Sequence, residues 1–283
     1  PLAQRPLVRG VGRVMLALAT FVLPSMTVQS MAQGLPEQST TEGTRLHKLG
    51  MEALRKGQLA VIVLAGGMAT RMGGVVKALV PAIENMTFLD LRLAETAHFS
   101  ALSGQTIPLW LMTSYATNHK LRTALGSHLN NHSVATFVQN VSIRLSTDGH
   151  VFFEDDGSPS LYAPGHGDLP EALRRSGLLQ RFIDKGGKYV TIANIDNLGA
   201  TIDPIVLGAH IDHASPVTVE VVDKVGTDKG GIPVRLNDRR MILEEFRLPL
   251  SFDPTTVRVF NTNTFVVSAQ ALNELQMDFT WVQ

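Results

Sequence analysis

The sequence predicts an α/β fold, a mainly parallel sheet with helices on both faces and β-hairpins inserted beside it. Short apolar runs of strand length recur along the chain, and helix-like stretches separate them. The first run, Leu59 to Ala65, is apolar at every position, as a strand covered on both faces must be.

The chain opens with an apolar segment and linker, residues 1–43, ahead of a main domain over 44–283. Arg5, Arg9 and Arg13 precede the apolar run Val14 to Leu23, and Ser30-Met31-Ala32 has the small-residue spacing of a cleavage site. Read by its pattern, this is a secretory signal. The other readings are an N-terminal apolar helix or sequence upstream of the true start. The run is too short to span a bilayer. Gly34 to Thr44, rich in Ser, Thr, Glu and Gly, reads as linker.

The helix-like Leu46 to Lys56 leads into the strand Leu59 to Ala65. Further strands are predicted at Ile107 to Met112, Ala135 to Val138, Tyr189 to Ile195, Pro216 to Val222 and Val257 to Phe260. Helices are predicted at Thr87 to Phe99, Asn118 to Leu125, Leu169 to Lys185 and Ala269 to Leu275. Ile143 to Phe153 and Ile232 to Leu243 each read as strand, turn residues, strand, and therefore as inserted hairpins.

Composition narrows the chemistry. With 25 basic and 25 acidic side chains the net charge is zero, which argues against a surface that binds nucleic acid or an acidic membrane, while leaving room for a local phosphate site. There is no cysteine, so disulfides, thiolate nucleophiles and Cys-ligated zinc are excluded. Any metal must be held by carboxylate, imidazole or substrate oxygens.

In open α/β sheets ligands bind outside the carboxyl ends of the strands. The first strand ends in Leu64-Ala-Gly-Gly-Met-Ala-Thr-Arg-Met-Gly73, with Lys77 four residues on. Glycines at 66, 67 and 73 let the backbone approach a phosphate closely, and Arg71 and Lys77 add positive charge. The loop is neither G-x-G-x-x-G nor a Walker loop, and such a turn can also be purely structural. Asp196, in Asn194-Ile-Asp-Asn-Leu-Gly199, stands at a strand's carboxyl end. One carboxylate suffices for Mg²⁺ when phosphates and water complete its shell, although Asp and Asn also form ordinary turns. His166, between two glycines in Pro164-Gly-His-Gly-Asp168, reads as a ligand contact. His128 and His132, and His210 and His213 around Asp212, read as residues of surface helices. Glu154-Asp-Asp156 reads as a solvated hairpin end. Phe260-Asn-Thr-Asn-Thr264 reads as a strand ending in groups that can meet sugar hydroxyls, or as a capped turn.

These motifs are co-linear with a known family. Leu64-Ala-Gly-Gly-x-x-Thr-Arg-x-Gly73, Lys77, Thr87-Phe-Leu-Asp-Leu91, Pro108-Leu-x-Leu-Met-x-Ser114, Pro164-Gly-His-Gly-Asp168, Asn194-Ile-Asp-Asn-Leu-Gly-Ala-Thr-x-Asp203, Lys229-Gly-Gly231 and Phe260-Asn-Thr-Asn263 stand in the order of the eukaryotic-type UDP-glucose pyrophosphorylases. The chain resembles that family over roughly residues 46 to 275. The resemblance implies a nucleotidyltransferase A-like, Rossmann-like domain that makes UDP-glucose and pyrophosphate from UTP and glucose 1-phosphate. It also implies a Mg²⁺ requirement and a cytoplasmic location, and it leaves a homo-oligomer open.

Carried over by position, the resemblance puts Ala65, Gly66 and Gly67 against the nucleotide and Lys77, with Arg71, at the phosphates. Met112 and Gln139 would lie along the uracil with Gly165 beside them. His166 would meet the sugar phosphate, Asn194, Gly231 and Asn263 would meet the hexose, and Asp196 would hold Mg²⁺. The sequence departs from the family pattern in three places. Val75-Val76-Lys77-Ala78 replaces Gly-Pro-Lys-Ser, and Ala69 replaces a glycine. The 20 residues after Asn263 contain no lysine, where the family has a second phosphate-binding lysine and then a left-handed β-helix domain. The expectation is a catalytic domain without those downstream parts. Two alternatives remain, a pyrophosphorylase for N-acetylglucosamine or galactose 1-phosphate and a weakly catalytic UTP- or UDP-sugar-binding module.

Overall fold

The computed structural model describes residues 34–69, 74–130, 132–225, 230–236, 239–244, 248, 252–253 and 256–275. The N-terminal apolar run, with its secretory reading, lies outside the described residues, as do Arg71 and Lys229. The chain divides into two compact units. The larger comprises Leu35–Thr218 and Thr264–Leu275, and the described part of the smaller lies chiefly within Val219–Asn263.

The larger unit begins with α1 (Thr41–Arg55), which Thr40 caps by accepting the Gly43 N–H at 2.9 Å. The helix therefore starts inside the stretch whose composition reads as linker. The fully buried β1 (Leu59–Leu64) follows, and beyond its carboxyl end β2 (Met68–Ala69) pairs antiparallel with β3 (Val75–Val76). β4 (Pro81–Ile83) and β5 (Met86–Thr87) form a second small ribbon, which leads into α2 (Phe88–Ser103). A reciprocal Thr87–Asp90 capping box fixes the start of α2, and Gly104 in the left-handed region ends it.

β6 (Leu109–Thr113), α3 (Asn118–Leu125) and β7 (Val134–Val138) complete one side of the sheet. The predicted hairpin after β7 is a longer meander. β8 (Ser142–Ile143) pairs with β9 (Leu161–Tyr162), and bridges at Leu145↔Val151 and Phe153↔Pro159 join the residues between. Glu154 to Asp156 form its exposed turn, as expected.

The single helix predicted from Leu169 to Lys185 is instead two, α4 (Leu169–Ser176) and α5 (Leu178–Asp184). Gly177, at φ 69°, breaks the helical path between them. β10 (Tyr189–Asn194) precedes α6 (Pro204–His213), which Asp203 caps by accepting the Ile205 N–H at 2.7 Å. His213 is exposed, but His210 is 1% exposed and not a surface residue. It packs edge-on against Tyr189, and its Nδ1 lies 2.8 Å from the Thr218 hydroxyl. His128 is exposed in a short helical turn as expected, whereas His132, also exposed, lies in a turn and not in a helix.

β11 (Val217–Asp223), β12 (Ile232–Leu236), β13 (Arg239–Leu243), β14 (Val259–Ser268) and α7 (Ala269–Glu274) follow. β12 and β13 form the second predicted hairpin, in register Ile232↔Leu243. In the smaller unit Ile232, Val234, Leu243 and Val257 form a core of their own. Phe260 to Thr264 lie within β14 and do not end it, because the β-branched Thr262, Thr264, Val266 and Val267 carry the strand on to Ser268, which caps α7.

The main sheet runs β11-β14-β10-β1-β6-β7, with β10, β1, β6 and β7 mutually parallel and β14 antiparallel to β10. Alternation along β1 builds two cores. Leu59, Val61 and Val63 pack with α1, α3 and α6, whereas Ala60, Ile62 and Leu64 pack with α4, α5 and α7. On the first face α1 and α6 meet backbone to backbone. A Cβ on Gly208 would fall 2.0 Å from the Leu46 carbonyl oxygen, and one on Gly50 would fall 1.9 Å from that of Pro204.

Candidate active site

Because β1, β6, β7 and β10 are parallel, their carboxyl ends lie along one edge of the sheet. The loops that leave this edge carry most of the residues singled out by the sequence. After β1, the Ala65 N–H donates to the Met112 carbonyl at 2.8 Å. The Ala65 carbonyl accepts from the Thr117 hydroxyl at 3.1 Å, and the Gly66 carbonyl accepts from the Ser114 hydroxyl at 2.9 Å. The Gly67 carbonyl accepts from the Lys77 N–H at 3.2 Å. The loop's carbonyls are thus taken up, while among the described residues the N–H groups of Gly66 and Gly67 have no hydrogen-bond partner. Fixed carbonyls beside unsatisfied N–H groups suit an anion.

Gln139, directly after β7, crosses this loop. A Cβ on Gly66 would lie 2.3 Å from Gln139 Nε2, so the side chain occupies the space that only a glycine leaves. Gln139 Oε1 accepts the Gly165 N–H at 3.3 Å, which brings Gly66, Gln139 and Gly165 together. Gly165 has φ 92°, a conformation that favours glycine, and it turns the chain into the short helical turn His166–Asp168. Asp168, 2% exposed, anchors that turn by accepting from the Asn140 N–H and Nδ2, both at 2.5 Å.

Lys77 and Asp196 form the charged part of the site. Lys77 Nζ lies 3.0 Å from Asp196 Oδ2, with the two side chains 40% and 34% exposed. His166 is an exposed residue close enough to feel both. Desolvation and the Lys77 ammonium hold its imidazole below the usual pKa, against the pull of the Asp196 carboxylate. Asn194, half-buried, ends β10 in register with Leu64 of β1, two residues before Asp196.

Met112 is buried in the second core, and its carbonyl meets the Ala65 N–H where the loop begins. Gly231 and Asn263 belong to the smaller unit. There a Cβ on Gly231 would lie 2.4 Å from Ile242 Cγ2, and Asn263 holds φ 60° with its N–H donated to Asn261 Oδ1 at 2.9 Å.

The sequence reading missed Arg92 and Glu95 of α2. Arg92 is 3% exposed, and its guanidinium donates to the carbonyls of Asn197 and Ala200, at 2.5 and 2.6 Å, in the loop just after Asp196. A charged residue on the buried face of a predicted helix, at Leu89, Arg92 and Thr96, was the available signal.

The family model described as UTP–glucose-1-phosphate uridylyltransferase matches residues 24–280. The chain belongs to that family. The uridylyltransferase of Astragalus penduliflorus is 31% identical over 229 residues, covering 77% of this chain and 49% of the relative. The uridylyltransferase of Musa acuminata is 32% identical over 243 residues, covering 80% and 51%. A solved UDP-glucose phosphorylase from Trypanosoma brucei superposes with a TM-score of 0.71 at 27% identity, covering 86% of this chain and 54% of that one. The chain spans about half the length of the curated uridylyltransferases it matches. Among the described residues no helix is long and apolar enough to cross a membrane.

Proposed function

We propose that the chain carries the nucleotide-binding and uridylyl-transfer site of a UTP–glucose-1-phosphate uridylyltransferase, forming UDP-glucose and pyrophosphate. The observation that carries this reading is the meeting, at one edge of the sheet, of two glycine N–H groups without a partner among the described residues, an ammonium and a carboxylate. Family membership and the names of the relatives support glucose as the sugar.

In this reading an oxygen of the sugar phosphate attacks the α-phosphorus of UTP. The new P–O bond forms as the bond to the β-phosphate's bridging oxygen breaks, and pyrophosphate leaves with that electron pair. Two anions must meet, so the protein's work is neutralisation and alignment. Gly66 and Gly67 donate N–H groups to the UTP phosphates, and Lys77 Nζ adds a charge-assisted bond. Gln139 and the Gly165 backbone hold the uracil. His166 orients the sugar phosphate, and Asn194 lies toward the sugar.

The donor set fits a substrate-bridged divalent cation. Among the described residues no cluster of three or more His, Cys, Asp or Glu side chains could form a protein cage, but a Mg²⁺ bound chiefly by phosphates needs one carboxylate. Asp196 would hold it. Such an ion, when bound, supplies positive charge to the phosphate oxygens. UTP and sugar phosphates as substrates point to the cytoplasm.

The test is pyrophosphate release from UTP and Mg²⁺ with glucose, galactose or N-acetylglucosamine 1-phosphate. Release with glucose 1-phosphate well above the others is expected. Preference for another sugar replaces glucose in the proposal, and UTP binding without release with any sugar leaves a nucleotide-binding module.

A further inference from the structure

Arg92 is a costly residue to bury. Taking a guanidinium out of water is unfavourable unless good partners offset it, and an aliphatic side chain would fill this helix face without that penalty. Its partners are specific. One arm donates to the Ala200 carbonyl at 2.6 Å, the other to the Asn197 carbonyl at 2.5 Å, and a 2.8 Å ion pair joins it to Glu95. Glu95 spends its second oxygen on the Ile202 N–H at 2.7 Å. The guanidinium and carboxylate thus grip three backbone groups of one short loop, whose first residue follows Asp196. Arg92 Nε is buried without a hydrogen-bond partner among the described residues, so the fork is aimed at this loop at the expense of full satisfaction.

We infer that Arg92 and Glu95 are positioning residues that fix the loop Asn197–Ile202 and thereby set Asp196 opposite Lys77. The inference rests on the proposed site but not on which sugar it takes. The geometry leaves little slack, because Asp196 and Lys77 meet at 3.0 Å and a shift of about 1 Å would part them. The glycine loop and Gln139 are held separately, by Ser114, Thr117 and the Thr113 carbonyl. Releasing the Arg92 clamp should therefore disturb the carboxylate and spare the nucleotide loop.

The test compares Arg92→Met, Arg92→Lys and Glu95→Gln in the full chain. In Arg92→Met, kcat for pyrophosphate release is expected to fall at least tenfold, while metal-free UTP affinity stays within about threefold of the parent. Arg92→Lys, which restores the charge and part of the bonding, should recover part of kcat. Unchanged kcat in folded Arg92→Met, or equal loss of kcat and UTP affinity, overturns the inference. Should Arg92→Met fail to fold, the isosteric Glu95→Gln decides. A kcat loss of threefold or more at constant UTP affinity supports the clamp, and no loss overturns it. A parent chain that binds UTP but transfers nothing refutes the functional reading alone. Amide exchange then decides the clamp, with at least tenfold faster exchange at Ala200 and Ile202 but not at Ala65 or Gln139 in Arg92→Met. Unchanged exchange at Ile202 overturns it.

Discussion

Replacing Lys77 with methionine separates a phosphate-binding role from a structural one. In the free protein Lys77 pairs with Asp196 at 3.0 Å, but the two side chains are 40% and 34% exposed. A pair so open to solvent contributes at most about 1 kcal/mol to folding. Against a phosphate the same ammonium makes a charge-assisted hydrogen bond, whose loss costs about 1.5–3 kcal/mol, or roughly 10- to 150-fold in affinity. Lys77→Met should therefore move the unfolding midpoint by no more than a few degrees while weakening UTP binding 10-fold or more by calorimetry. Asp196→Asn should act in the opposite sense without metal. It removes a like charge from beside the phosphates and releases Lys77, so metal-free UTP binding should tighten a few-fold even as Mg²⁺-dependent turnover is lost. Equal UTP affinity of the parent and Lys77→Met would refute this reasoning and make the loop structural.

The remaining predictions concern the groups around that site and the packing beneath it. Burial, aided by His213, depresses the His210 pKa from 6.5 to about 4. A group depressed in the folded state stabilises the fold above its unfolded pKa and loses that contribution as pH falls, so stability should decline between pH 6.5 and 4 by up to about 3 kcal/mol. Denaturant titrations at pH 7.5 and 5 should show this decline for the parent and a flatter profile for His210→Gln; parallel profiles would exclude it. Gly208→Ala places a Cβ 2.0 Å from the Leu46 carbonyl oxygen and should force α1 and α6 apart, at a cost of about 1–3 kcal/mol despite the better helix propensity of alanine. A variant as stable as the parent would show that the helices can slide. Gln139→Ala leaves the Gly165 N–H unpartnered and should cost about 1–2 kcal/mol in UTP binding and relax discrimination against CTP. Unchanged discrimination would remove Gln139 from the base site.

Legibility in the sequence followed the range of the forces involved. The unbroken apolar run of β1 announced a central parallel strand because both its faces are covered by helices. The glycines after β1, His166 between glycines and Asp196 after β10 were visible because strand-end chemistry is local. The break at Gly177 was less so, since one glycine inside a helical pattern can be tolerated or can end the helix. Three features could not be read from neighbouring residues. Met112, assigned to the uracil by resemblance alone, has its side chain in the core shared with α4 and α5, which no neighbouring residue announced. Arg92 looked like an ordinary helix arginine, because its purpose lies with a carbonyl 108 residues away. Burial of His210 was likewise hidden, as it depends on Tyr189 and Thr218 closing over one end of α6.

The central claim is that the glycine loop, Lys77 and Asp196 form one site for uridylyl transfer. Incubating the chain with UTP labelled at the α-phosphate, glucose 1-phosphate and Mg²⁺ tests it most directly. Label is expected in UDP-glucose, with unlabelled pyrophosphate, and both products should be lost in Lys77→Met and Asp196→Asn. Label remaining in UTP, or UTP cleaved at the γ-phosphate with no UDP-glucose formed, would contradict it.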